Sequence, residues 1–180
     1  TCGMRFGWQL GELPYGYDHK YIYSELGYNL KVTDIQAALG VAQLDKLEWF
    51  IATRKENFKT LYTALQPFEK YFILPKWLDK ADPSWFGFLL TIKEGAPFDR
   101  DLIVQFLQDK QIATRYLFAG NLTTQPYFIN NKIEYRVVGD LKNTDLVMHN
   151  TFWVGVYPGL TKEMMAYIVE YFNDFLSAYI

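Results

Sequence analysis

Few side chains in this sequence could do covalent or metal chemistry. There is one cysteine, Cys2, and two histidines, His19 and His149. A nucleophilic triad needs a nucleophile with a histidine and an acid beside it, and neither histidine lies in a nucleophile-elbow sequence. No P-loop, G-x-G-x-x-G or HExxH pattern occurs, and a zinc site would need more Cys and His than the chain holds. Cys2 reads either as a lone buried thiol or as a metal ligand in a glycine-rich segment. His19, within Tyr17-Asp18-His19-Lys20-Tyr21, reads as a polar group of a site or as an ordinary loop histidine. Arg115 stands at a predicted strand end that runs into Gly120 and Asn121. Its planar fork suits a phosphate or carboxylate through paired hydrogen bonds, and the competing reading is a surface salt bridge.

The elements that must position these residues follow from periodicity. Residues 1–31 alternate aromatics with glycines (Gly3, Gly7, Gly11, Gly16, Gly27), which interrupts helices and strands alike. They read as an extended arm that lies on something, because Phe6, Trp8, Tyr15 and Tyr17 are too apolar for a free linker. Thr33 followed by Gln36 is a capping box. From Ile35 to Leu65 apolar residues recur at spacings of three and four, until Pro67. That predicts one helix of about 33 residues, roughly 50 Å long. Further along, strands are expected over Trp85–Lys93, Ile112–Phe118 and Phe152–Tyr157, and a short one near Tyr135–Val138. Helices are expected from Asp99 to Lys110, from Asp140 to His149, and onward from Thr161. The alternation predicts an α/β fold: a long N-terminal helix, then a small mixed sheet with helices on one face. The domain reading is 1–32 as arm, 33–66 as connecting helix and 67–180 as small α/β domain.

Composition narrows the function. A chain of 180 residues suits one domain and buries about 70% of its unfolded surface. Lys and Arg number 18 against 20 Asp and Glu, a net −2, so a global electrostatic grip on nucleic acid is not expected. No apolar run reaches the ~20 residues of a membrane span, and residues 1–13 lack a signal-peptide core. A cytoplasmic protein is expected. The first residue is Thr1, so the chain reads as a piece of a longer polypeptide. Aromatics make up 18%, which fits either a large aromatic core or a surface that packs on another.

One stretch ties these features to a family. Gly27-Tyr28-Asn29-Leu30-Lys31-Val32-Thr33-Asp34-Ile35-Gln36-Ala37-Ala38, with Gln43-Leu44, resembles a signature of the DegT/DnrJ/EryC1/StrS sugar aminotransferases, where Lys31 replaces the usual Arg. Three further stretches are similar to its CDP-4-keto-6-deoxy-D-glucose-3-dehydrase branch, also called the RfbH group. They are Thr1-Cys2-Gly3 to Tyr21, with Met4 in place of an expected Lys, then Leu117 to Tyr127, and Thr151 to Thr161. The resemblance runs over essentially the entire chain and corresponds to the C-terminal portion of such an enzyme, which implies the small domain of a fold-type-I pyridoxal-phosphate-dependent transferase.

That resemblance implies a chemistry. Members of the branch use pyridoxamine phosphate and a [2Fe-2S] cluster to remove the C3 hydroxyl of a CDP-4-keto-6-deoxyhexose during lipopolysaccharide O-antigen dideoxysugar synthesis. A flavin/iron–sulfur reductase partner supplies electrons, and the enzyme is a homodimer. Catalytic residues would belong to the large domain, so the 180 residues alone are expected to be inactive. By the same resemblance Cys2 is a cluster ligand, and Asn29 and Lys31 reach the cofactor phosphate. Arg115, Asn121 and Gln125 face the nucleotide-sugar, with Tyr127 a weaker candidate. Two alternatives stay open at this point: a pyridoxal-phosphate-dependent nucleotide-sugar aminotransferase of the same family, and a non-catalytic interaction module.

Overall fold

A computed structural model describes Glu12, Tyr28, residues 30–118 and residues 120–180. The chain divides into two compact units, Thr1–Ala42 and Gln43–Ile180, a different partition from arm, connecting helix and domain. The capping box is present: the Gln36 amide donates to the Thr33 hydroxyl over 3.4 Å, and the Thr33 amide donates to Gln36 Oε1 over 3.0 Å. It opens α1, Asp34–Leu44. The single helix expected over 33–66 is interrupted. A turn at Asp45 and Lys46 separates α1 from α2, Leu47–Leu65. The apolar spacing gives no sign of the break, because Val41, Leu44, Leu47 and Phe50 keep a spacing of three across it. A 3₁₀ turn, Gln66–Phe68, follows with Pro67 near its start.

Among the described residues the sheet has four strands: β1 (Phe72–Ile73), β2 (Gly87–Ile92), β3 (Thr114–Tyr116) and β4 (Thr151–Gly155). Their order is β1-β2-β4-β3. Every pairing is antiparallel, where a mixed sheet was expected. The β–α–β alternation behind that expectation is real. Strand β2 crosses through α3 (Arg100–Asp109) to β3, and those two strands run the same way. However, α5 (Lys142–Asn150) delivers the chain directly into β4, which fills the gap between them in the opposite sense. Strand β1 escaped the sequence reading because two residues carry no measurable period. Strand β3 is shorter than expected. No strand forms at Tyr135–Val138; a short helix α4, Pro126–Asn130, lies upstream instead.

Alternation sorts the sheet into two faces. Phe88, Leu90 and Ile92 of β2 and Phe152 and Val154 of β4 are all buried. They meet Phe58, Leu61 and Leu65 of α2, Ile103 and Leu107 of α3, and Met165, Ile168, Phe172 and Leu176 of α6 (Lys162–Ser177) in one core. Asp99 and Thr161 cap α3 and α6 by accepting from the Leu102 and Met164 amides over 2.8 and 3.3 Å. The fold class read from sequence therefore stands, with helices on one face of the sheet.

Candidate functional site

The second face of the sheet is open, and the site candidates gather on and beside it. Leu89 pairs with Trp153, and Trp153 pairs in turn with Arg115. These three side chains therefore form a row on the face opposite the core. The Trp153 indole lies over Gly87: a Cβ at Gly87 would sit 2.5 Å from its Cε3. Glycine is thus what allows the ring to approach the β2 backbone this closely. Phe86, 68% exposed, packs against Trp153 with ring centroids 5.0 Å apart. Together with Ile73, Leu89 and Phe118 these residues line an open cavity of about 430 Å³. Its lining includes Lys76 and no carboxylate.

Arg115 is exposed, and its guanidinium makes no ion pair among the described residues. The competing salt bridge to an acid of α3 is not formed, because that acid is already engaged. Asp101 Oδ1 accepts from the Tyr116 hydroxyl over 2.8 Å and from Arg100 Nε over 3.2 Å. The Arg100 guanidinium also lies 3.6 Å from the centroid of the Tyr116 ring. The Tyr116 hydroxyl, and then Arg100, hold the Asp101 carboxyl below its usual range; the same bond to Asp101, followed by burial, pushes the Tyr116 phenol up. Adjacent strand residues point to opposite faces. Tyr116 is thereby anchored on the helix side while Arg115 is turned to the open side.

Asn121 has a different place from the one expected. It is 5% exposed. Its side-chain oxygen accepts from the amide and hydroxyl of Thr123 over 3.1 and 2.7 Å, and its side-chain nitrogen donates to Asp145 over 2.8 Å. The geometry makes Asn121 a brace inside the loop, not a donor into an open cleft. Gly120 beside it has φ +63°, and a Cβ there would sit 2.6 Å from Met148 Cγ. Met148 is tied in turn to α3, because Arg100 Nη1 donates to its carbonyl over 2.5 Å. Gln125 precedes α4 in extended conformation, and its carbonyl accepts from Phe128 and Ile129. Tyr127 is 65% exposed. His149 turns back on its own helix, its Nδ1 2.8 Å from the Asp145 carbonyl.

Lys31 is exposed just ahead of α1. Cys2, His19 and Asn29 lie outside the described residues. Among the described residues no group of three His, Cys, Asp or Glu is placed to hold a metal ion, and no helix is long and apolar enough to cross a membrane. Sequence reasoning passed over Trp153, Phe86 and Gly87. A signal existed: the residues between the buried Phe88, Leu90 and Phe152 had to share the other face.

Residues 11–173 match the model of the DegT/DnrJ/EryC1/StrS aminotransferase family. The chain is 56% identical over 175 residues to the lipopolysaccharide biosynthesis protein RfbH of Salmonella typhimurium, covering 97% of this chain and 40% of that protein. It is 46% identical over 177 residues to the dTDP-4-dehydro-2,6-dideoxy-D-glucose 3-dehydratase of Saccharopolyspora spinosa, covering 98% and 38%. The chain thus spans about 40% of the length of these relatives. Among solved structures, an aminotransferase from Psychrobacter cryohalolentis superposes with a TM-score of 0.76 at 19% identity, over 93% of this chain and 44% of that one. The Escherichia coli GDP-4-keto-6-deoxy-D-mannose-3-dehydratase with bound hydrated PLP superposes with a TM-score of 0.71 at 24% identity, over 84% and 38%. At these identities the structures share the fold.

Proposed function

The chain belongs to the DegT/DnrJ/EryC1/StrS aminotransferase family, and from that premise we propose that it is the C-terminal part of a nucleotide-sugar 3-dehydratase. Its substrate would be a CDP-4-keto-6-deoxyhexose made for a lipopolysaccharide dideoxysugar, and it would act in the cytoplasm. The observation that carries this reading is the 56% identity to RfbH, which is spread over 97% of the chain and not confined to one motif.

Pyridoxamine phosphate, when bound, supplies the electron sink that lets the C3 hydroxyl depart. A cofactor phosphate takes N–H donors and positive charge, and the exposed Lys31 beside the start of α1 is of that type. Lys31 and Asn29 would hold the phosphate. Arg115, turned to the open face and without an ion pair among the described residues, would hold the diphosphate of the substrate. Asn121 would keep the loop after β3 in shape, so that Arg115 and Gln125 face the sugar. Cys2 would give one thiolate to a [2Fe-2S] cluster. Such clusters are usually held by four, so the remaining ligands would come from beyond these 180 residues, as would the reductase that supplies electrons. A homodimer is supported by α1. Ile35, Leu39, Val41 and Leu44 are all more than 60% exposed and none of its residues is buried, and a helix apolar all round is one that something covers.

The test is product identification. The full-length protein, loaded with pyridoxamine phosphate and supplied with CDP-4-keto-6-deoxyglucose and a reductase, is expected to give a product without oxygen at C3. An amino sugar formed with glutamate would instead make it an aminotransferase. The 180-residue chain alone is expected to turn over neither.

A further inference from the structure

Arg100, the first residue of α3, grips both the strand that enters the loop after β3 and the helix on which that loop rests, and we propose that it is a positioning residue for substrate binding. It touches no substrate itself. The inference rests on reading the loop after β3 as facing a nucleotide-sugar; it adds which side chain sets the position of that loop.

The Arg100 side chain is 12% exposed. A guanidinium keeps its charge at any working pH, so one this far from water needs fixed partners. It has three. On one side the guanidinium lies 3.6 Å from the ring centroid of Tyr116, the last residue of β3. On the other, Nη1 donates to the Met148 carbonyl over 2.5 Å. That carbonyl is in the last turn of α5, where a helix leaves carbonyls without a backbone partner, and a cation suits that end of the helix. Between the two, Nε donates to Asp101 Oδ1 over 3.2 Å, and the same oxygen accepts from the Tyr116 hydroxyl over 2.8 Å.

Met148 carries the restraint into the loop. Its sulfur accepts from the Asn121 amide over 3.4 Å, and its Cγ fills the space that a side chain at Gly120 would need. Asp145, earlier on the same helix, accepts from Asn121 Nδ2 over 2.8 Å. The end of α5 is itself tied to β2, because Asn150 Nδ2 donates to the Ile92 carbonyl over 2.9 Å. One planar fork therefore sets the spacing between Tyr116, at the entry to the loop, and Met148, under Gly120 and Asn121. A lysine ammonium is a point charge without that fork, so it cannot hold both sides at once. All of these partners belong to the unit Gln43–Ile180, and the clamp is complete within it.

The test compares full-length Arg100→Ala with the parent protein and with Leu176→Ala, a fully buried position of α6 whose truncation lowers stability far from the loop. Amide hydrogen exchange is followed in residues 120–124, and steady-state kinetics are measured with CDP-4-keto-6-deoxyglucose. In Arg100→Ala the loop amides should exchange about tenfold faster. The Michaelis constant should rise about tenfold with kcat unchanged, the pattern of lost binding from a misplaced contact. Leu176→Ala should match the parent in both readings. Arg100→Lys should recover most of the Tm and still show the raised Michaelis constant; it takes the place of Arg100→Ala if that variant fails to fold. Unchanged exchange in the loop overturns the clamp, and faster exchange with an unchanged Michaelis constant overturns its positioning role. So does an equal rise in Leu176→Ala, or full recovery of the Michaelis constant by Arg100→Lys, because stability or charge alone then accounts for the effect. C3 deoxygenation with neither shift overturns the clamp and leaves the dehydratase reading standing. An amino sugar as product, with both shifts present, supports the clamp and overturns the dehydratase.

Discussion

Strand β4 presents two unlike faces, one built from Phe152 and Val154 and the other from Trp153 and Gly155. The first pair is essentially fully buried under α2, α3 and α6, whereas Trp153 and Gly155 are half-buried. Both faces are apolar, so hydrophobicity alone does not say which one holds the domain together. What separates them is packing. The closed face meets side chains in every direction, as in a crystal. On the open face Trp153 lies against Gly87 with Phe86 beside it, and an open cavity of about 430 Å³ adjoins them. One face is filled by the helices of this unit, and the other is left partly open among the described residues.

The sharpest way to break this contrast is to truncate both faces. Phe152→Ala should cost about 3–5 kcal/mol, because a fully buried ring leaves a cavity. Leu89→Ala, one position across on the open face, should cost well under half of that. Denaturant unfolding of the two variants reads the difference, and equal losses would mean that the open face is also core. The loop after β3 comes next. Gly120→Ala must hold a left-handed φ and also drive a methyl into Met148, for an expected loss of about 2–3 kcal/mol. Asn121→Ala strands the Asp145 and Thr123 partners and should cost about 1–3 kcal/mol. A stable Asn121→Ala variant with reduced nucleotide binding would return Asn121 to the list of direct contacts.

The smallest effect concerns the anchor that turns Arg115 outward. The folded pKa of Asp101 lies below its usual 3.8, so its contribution is present above about that pH and fades as the pH falls through the lowered value. The folded pKa of Tyr116 lies above its usual 10.0, so its contribution is present below that pH and fades as the pH rises through the raised value. Tyr116→Phe should therefore be slightly less stable than the parent chain between these limits, and the gap should close on either side. Melting temperatures measured across pH test this, and a constant gap would mean that the hydroxyl bond is not its source.

Much of the architecture was legible from residue order. Thr33, Asp99 and Thr161 are caps because each places an oxygen where the first turn has unpaired amides, which is a local matter of three residues. Strands β2 and β4 showed in their apolar runs, and α6 in its stripe. Local chemistry also marked Arg115 as a cation beside a loop, and the motif around Asn29 and Lys31 carried the family. Other features had no local signature. The antiparallel order of the sheet depends on β4 entering between two strands that precede it by many residues. Asn121 looks like any polar loop residue until Asp145 of α5 is folded against it. The row on the open face takes Leu89 from one strand, Trp153 from the next and Arg115 from a third. Sequence alone determined which segments coil, extend and turn, because those choices are settled by neighbours a few residues away. Only the tertiary structure decided which apolar face the helices cover, which polar side chain is spent on the loop and which arginine forms no ion pair among the described residues, because each of these depends on contacts between residues far apart in the chain.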